Sequence, residues 1–185
     1  MFPIKTYYEN EAGFADFYSR LKGLLCPHCK LTGFLILHGF LYGYAEEQHM
    51  AKSKRGHRIF CSNRKNRNGC GRTFSLLLAA FIKHFTISAK TLGNFLSNIA
   101  SGLNRLQAFK RANGPLTVSS LYRLFNRFQQ VQARIRTLLL SVKDPPDGRG
   151  ISDPAVQTIR HLHSLVHNDS CPVACFQLLF QVSFL

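Results

Sequence analysis

The apolar positions of this chain change spacing along its length, and the changes divide it. Phe14, Phe17, Leu21 and Leu24 stand at helical spacing, which predicts a short amphipathic helix over 13–25 after an irregular start at 1–12. Residues 33–44, GFLILHGFLYGY, are aromatic and aliphatic with glycines at 39 and 43, and read as a strand. GHRIF at 56–60 reads as its return, with the polar segment AEEQHMAKSKR as the hairpin tip. The apolar run SLLLAAFIKHFTI, 75–87, then joins this front part to the rest of the chain.

From Ser88 the period is helical again. Ser88 caps a helix over 89–101 whose Leu92, Phe95, Leu96 and Ile99 share one face. A shorter helix over 104–112 turns Leu106, Ala108, Phe109 and Ala112 inward, and Asn113-Gly114-Pro115 makes a turn. Thr117 caps a long third helix with Val118, Leu121, Leu124, Phe125 and Phe128 inward. Val131, Ile135, Leu138 and Leu139 extend that stripe to Val142, further than three helices need. A partner element for the surplus is expected, in the C-terminal region or in a second copy of the chain. KDPPDGRGIS, 143–152, is a linker. Asp153-Pro154 then opens a helix over 154–166 carrying Val156, Ile159, Leu162 and Val166, before a short apolar tail, PVACFQLLFQVSFL.

These elements predict a mostly α protein with a small β-ribbon, a trihelical segment and C-terminal helices. The expected division is 1–74 for the N-terminal helix and ribbon, 75–142 for the trihelical domain and 143–185 for linker and C-terminal packing. With 16 Phe and no Trp, phenylalanine should dominate the core.

Charge changes the picture. The net charge is +15, and between Glu47 and Asp144 there is no acid at all, while that interval holds 18 of the 24 Lys and Arg. Such a stretch repels itself unless it faces a polyanion, and nucleic acid is the preferred partner over an anionic membrane. No apolar run reaches the ~18–20 residues of a membrane span, and the start MFPIKTYYENEAG has no apolar signal region, so a cytoplasmic, nucleoid-associated location is expected.

The cysteines add chemistry. Cys26 and Cys29 form a C-x2-C pair in CPHCK, and Cys61 and Cys70 a C-x8-C pair in RIFCSNRKNRNGCGRTF. Two local thiol pairs separated by a hairpin are the ligand layout of one structural zinc ion, with Pro27, Gly69 and Gly71 supplying tight turns. His28, His38, His49 and His57 are substitutes for one sulfur. The plainer reading is four buried or free cysteines without metal. Reduced thiols on zinc fit a soluble compartment better than three disulfides.

Nucleic-acid contacts are expected at two places. In the ribbon they are Lys54, Arg55, Arg58, Arg72 and the loop SNRKNRNG, where Arg64, Lys65 and Arg67 suit phosphates and Asn63, Asn66 and Asn68 form turns or add donors. On the third helix, Ser119, Ser120, Tyr122, Arg123, Asn126 and Arg127 lie away from the apolar stripe and suit base edges and phosphates. Short helix, glycine-containing turn and long helix is the pattern of a helix-turn-helix, with recognition beginning at Thr117.

Other constellations carry less. His161-Leu162-His163 matches a nuclease motif only on a strand, and a helix is expected there. His163, His167, Cys171 and Cys175 recur every four residues as a second metal site, but Pro172 interrupts them. The acids, Glu9, Glu11, Asp16, Glu46, Glu47, Asp144, Asp147, Asp153 and Asp169, fall in no α/β frame that would hold catalytic metal ions, so no enzyme is expected.

The order CPHC, aromatic hairpin, RIFC, CGRTF and trihelical segment resembles the N-terminal DNA-binding portion of insertion-sequence transposases and of small InsA-type proteins, over roughly residues 24–130. The resemblance implies zinc on Cys26, Cys29, Cys61 and Cys70 and binding of element ends or a promoter. The chain departs from that pattern in its C-x8-C spacing, in lacking a catalytic domain and in its C-terminal 40 residues. The expected function is sequence-specific double-stranded DNA binding as an accessory of a mobile element, with a partner recombinase or transposase supplying cleavage and with a homodimer as an option. The rival classes are an RNA-binding zinc-ribbon protein and a DNA-binding subunit of a transposase or nuclease complex.

Overall fold

The computed structural model describes residues 4–46, 51–113, 117–147, 150–166 and 170–185. Glu47 and His49 of the expected hairpin tip, Gly114 and Pro115 of the expected turn, Gly148 and Arg149 of the linker, and His167 and Asp169 lie outside these residues. The chain divides into two compact units, Met1–Ala79 and Ala80–Leu185.

In the first unit, Asn10 caps helix α1, Glu11–Ser19, by accepting from the Gly13 N–H at 3.0 Å. The helix ends sooner than its apolar spacing predicts, and Leu21–Gly23 continues as a single 3₁₀ turn. Phe14, Phe17 and Leu21 are buried on Leu35, Ile59 and Leu76 of a sheet. That sheet has four strands where the pattern predicts two. They are β1, Tyr7–Tyr8; β2, Leu35–Tyr44; β3, Lys52–Cys61; and β4, Thr73–Leu78, in the order β1-β4-β3-β2. Strand β4 pairs antiparallel with β3, and β1 pairs parallel with β4. The TFSLLL segment, whose second half reads as a connection, is therefore sheet. Both of its faces are half-covered, so apolar and polar residues do not alternate.

The second unit is helical. Helices α2, Ala89–Ala100; α3, Arg105–Arg111; and α4, Val118–Leu140, are capped by Ser88, Asn104 and Thr117, each accepting from the N–H three residues on. Helix α5, Pro154–His163, starts on the Asp153 cap with proline at its first position, and α6, Pro172–Phe180, comes after it. Phe95 makes edge-to-face contacts with Phe109 and Phe125, at centroid distances of 5.6 and 6.2 Å, and Phe128 stacks on Phe184 at 6.1 Å. Leu106, expected inward on α3, is instead 37% exposed.

The surplus stripe of α4 finds its partner within the chain. Ile135 and Leu139 are buried in one core with Ala155, Ile159 and Leu162 of α5, Val173 and Phe176 of α6, and Phe184. Arg134 donates to the Ser183 carbonyl at 2.7 Å. The fully buried Gln177 donates to the Phe81 carbonyl at 3.1 Å and accepts from the Phe184 N–H at 3.3 Å, tying the tail to the start of the unit.

Candidate metal centre

The four ribbon cysteines converge. Their sulfurs all lie within 4.8 Å of one another, with Cys26–Cys70 at 3.8 Å and Cys29–Cys61 at 3.7 Å. These separations are far longer than the ~2.05 Å of a disulfide. Four sulfurs at about 2.3 Å from a single ion in tetrahedral geometry stand about 3.8 Å apart, so the set matches one mononuclear ion. The backbone places them through two turns of the same construction. In the first, the Lys30 N–H donates to Cys26 O (3.0 Å) and the Cys26 N–H to Leu31 O (2.9 Å). In the second, the Gly71 N–H donates to Cys61 O (3.0 Å) and the Cys61 N–H to Arg72 O (2.9 Å). The residue after the later cysteine takes a positive φ in both, Lys30 at 62° and Gly71 at 70°.

This equivalence accounts for the unusual second spacing. The Gly69 N–H donates to Ser62 O at 3.2 Å, so residues 63–68 leave the turn and return to the same point. A side chain at Gly69 would run into the Ser62 carbonyl. Without those six residues the sequence is Cys61-Ser62-Gly69-Cys70, another C-x2-C. The C-x8-C pair is thus a two-residue spacing with a loop inserted into it.

Burial and hydrogen bonding prepare the thiols unequally. Burial pushes Cys61 up to about 12, although the Cys70 N–H donates to its sulfur at 3.4 Å, and burial raises Cys26 as well. The Leu31 backbone N–H, by hydrogen bonding, holds Cys29 down to about 7. Two buried thiols that resist ionisation beside one that favours it form a set that a divalent cation completes, releasing protons as it binds. Of the histidines named as substitutes, the three among the described residues are engaged elsewhere. His28 lies edge-on to Phe74, His38 tilts against Phe60, and His57 is bonded to Glu11.

The inserted loop is exposed from Asn63 to Asn68. Lys65 (φ 53°) and Asn66 (φ 58°) are both left-handed, and the Arg67 N–H donates to Arg64 O at 3.2 Å, which makes 64–67 a type I′ turn. The Arg64 guanidinium stands 5.2 Å from the Phe60 ring centroid. Lys65 is thereby carried at the tip of a turn anchored on the metal site. Arg58 and Arg72 are exposed. Arg55 is half-buried and donates to the Tyr44 carbonyl at 2.6 Å. Lys54 bonds Glu11 Oε2 at 2.8 Å.

Glu11 and His57 form a link that local sequence reading does not bring out. His57 is 3% exposed, stacks on Phe14 at 3.3 Å between centroids, and places Nε2 3.0 Å from Glu11 Oε2, while its Nδ1 has no hydrogen-bond partner among the described residues. The Lys54 hydrogen bond holds the Glu11 carboxyl below its ordinary value. Burial holds His57 below the usual 6.5, against the opposing effect of its hydrogen bond to the Glu11 carboxylate. The folded unit thus binds this proton less tightly than the unfolded chain. Its contribution to stability is fully present above pH 6.5 and falls as the pH drops through the folded value. Denaturant titrations of wild type and His57→Gln between pH 5.5 and 7.5 check this: wild type should lose stability toward pH 5.5, and the variant should lose less over the same range.

On helix α4, Leu121, Leu124, Phe125 and Phe128 are buried, while Ser119, Tyr122, Arg123, Asn126 and Arg127 are exposed. Ser120 is half-buried and its hydroxyl accepts from Thr117 Oγ1 at 3.1 Å, within the cap. Arg127 donates to Gln130 Oε1 at 3.4 Å, and the Arg105 guanidinium lies 5.5 Å from the Tyr122 ring and 4.5 Å from that of Phe125. Arg123 and Asn126 present their side chains to solvent one turn apart.

His161 and His163 sit on helix α5. His161 Nε2 is 2.8 Å from Lys143 O, and His163 Nε2 is 2.7 Å from Ser97 Oγ. Among the described residues the four-cysteine cluster is the only group of three or more potential ligands close enough to share an ion. Among them, too, no helix is long and apolar enough to cross a membrane. No family model, curated protein or solved structure matches this chain.

Proposed function

We propose that this chain is a zinc-dependent, sequence-specific double-stranded DNA-binding protein, an accessory or regulatory factor of a transposable element that leaves strand cleavage to a partner recombinase. The observation that carries the reading is the exposed side of α4. A capped helix N-terminus is followed by Ser119, Tyr122, Arg123, Asn126 and Arg127 on the solvent side and a continuous buried stripe on the other. Arginine matches the paired acceptors of guanine, and asparagine the donor and acceptor of adenine. Helix N-terminal amides favour a phosphate.

The ribbon contributes position. Zinc suits four thiolates in a tetrahedral set, and bound there it would hold both cysteine turns closed. Arg64, Lys65 and Arg67 then ride on a loop whose base is fixed at Ser62 and Gly69, a placement suited to phosphate oxygens. Flanking charge supports a polyanionic partner, since the acid-free interval covers both the loop and α4. The mobile-element assignment rests on the CPHC, RIFC and CGRTF segments and their order.

Selection of bound sequences from a random duplex library tests the reading. A defined motif is expected. No enrichment over the input pool would remove sequence-specific binding.

A further inference from the structure

The distal half of the β2–β3 hairpin carries an aromatic row that neither the metal site nor α4 explains. Phe40, Tyr42 and Tyr44 alternate along β2 and are 46%, 60% and 54% exposed. Their partners across the ladder are His57, Lys54 and Lys52. Directly opposed residues of antiparallel strands share a face, so the three rings and the two lysines lie on one side of the sheet. It is the side that α1 covers further back, where Phe14 stacks on His57. Beyond Glu11, the first residue of α1, the described residues leave Tyr42 and Tyr44 on this face exposed.

The row is ordered. Phe40 and Tyr42 meet edge-to-face at 6.4 Å, and Lys54 Nζ stands 4.3 Å from the Phe40 centroid. Strand β3 has one extra residue, Arg55, between the Leu41–Gly56 and Tyr42–Lys54 pairs. Its side chain crosses the hairpin at Gly43 and bonds the Tyr44 carbonyl, bracing the strand that bears the rings. Alternate strand residues are about 6.6 Å apart, roughly twice the 3.4 Å rise of stacked bases, which leaves room for a ring between two bases.

We propose that Phe40, Tyr42 and Tyr44 form a stacking platform for single-stranded DNA, with Lys52 and Lys54 facing its backbone. Paired bases in a duplex have their faces covered by their neighbours, whereas unpaired bases offer both faces to aromatic side chains. A row of three rings flanked by cations fits that ligand. The Glu11 carboxylate at this face is already held by Lys54 at 2.8 Å and His57 at 3.0 Å. Stacking needs only unpaired bases; that they are DNA rests on the duplex-binding reading above.

The test is fluorescence anisotropy of the full chain with labelled (dT)20, the same length of oligouridylate, and a duplex. Tyr42→Ala/Tyr44→Ala should weaken (dT)20 binding by about fivefold or more per ring. It should leave duplex affinity and bound metal unchanged, because both side chains are more than half exposed. Tyr42→Phe/Tyr44→Phe, which keeps the rings, should bind (dT)20 within about threefold of wild type if stacking is the contact. Equal binding by the alanine variant overturns the platform, as does a tenfold preference for oligouridylate over (dT)20. A wild-type dimer that the alanine substitutions dissociate in sedimentation overturns it too, since the row would then be a self-interface. If the duplex library yields no motif while the alanine variant still loses (dT)20, the duplex reading fails and the platform stands.

Discussion

Cys26→Ser or Cys61→Ser should abolish bound zinc and unfold the Met1–Ala79 unit while the helical unit keeps its structure. The reason is where these sulfurs sit. Both cysteines are fully buried, in the same core as Phe14, Phe17, Leu35, Ile59 and Leu76, so losing the metal opens the centre of that unit. Structural zinc contributes about 10–16 kcal/mol apparent at neutral pH, as much as the whole stability of a typical domain. The helical unit has its own core, built from residues Ile82 to Leu185. Far-UV circular dichroism should therefore show the helical signal largely retained, while hydrogen exchange of β2, β3 and β4 amides becomes fast. A chelator should reproduce the effect in wild type. Acid should too, because the ligands bind metal as thiolates and burial already disfavours ionisation of Cys26 and Cys61. Elemental analysis of reduced, pure protein showing no stoichiometric metal would sink the assignment, and stoichiometric iron in place of zinc would correct its identity.

Local interactions leave a trace in residue order, and long-range ones do not. Helices α2, α4 and α5 announce themselves because Ser88, Thr117 and Asp153 cap them and their buried residues recur at helical spacing within single segments. The four clustered cysteines are legible as two local pairs, Cys26 with Cys29 and Cys61 with Cys70. The meaning of the C-x8-C spacing is not, because it depends on the Gly69 N–H meeting Ser62 O across six intervening residues. Strand β1 is two residues long and has no pattern of its own; it exists because Leu77 of β4 and Ala79, just past it, offer N–H groups to the Thr6 and Tyr8 carbonyls. The aromatic row on β2 is hidden for a different reason. Phe40, Tyr42 and Tyr44 look like core strand residues, and their exposure is decided by where α1 begins to cover the sheet. The surplus stripe of α4 is visible in the sequence, but whether the tail or another chain covers it is settled only by packing of Ile135 and Leu139 on α5 and α6.

Replacing Arg64, Lys65 and Arg67 with glutamine should weaken binding to every duplex alike, whereas replacing Arg123 or Asn126 with alanine should weaken binding to the preferred site alone. The loop residues are exposed on a turn that projects from the cysteine site, and a flexible cation there gains affinity from counterion release whatever the base sequence. If about six phosphates are neutralised, log K falls with log salt at a slope near −5, and each lost contact makes it shallower by roughly one unit. From 50 to 200 mM salt that slope corresponds to a loss of about a thousandfold for wild type and much less for the triple variant. Arg123 and Asn126 are held differently. The buried Leu121, Leu124, Phe125 and Phe128 fix the rotation of α4, so both side chains point in a set direction from a rigid element. Loss of one base-reading contact costs about 1–3 kcal/mol on the selected site and little on a scrambled one, with the salt slope unchanged. Ser119 lies in the first turn and should show a smaller effect through phosphate contact at the helix N-terminus. Titrations of both variant classes on one selected and one scrambled duplex, at two salt concentrations, decide the assignment. Loop substitutions that alter sequence preference, with helix substitutions that alter only general affinity, would reverse the two roles and remove α4 as the reading element.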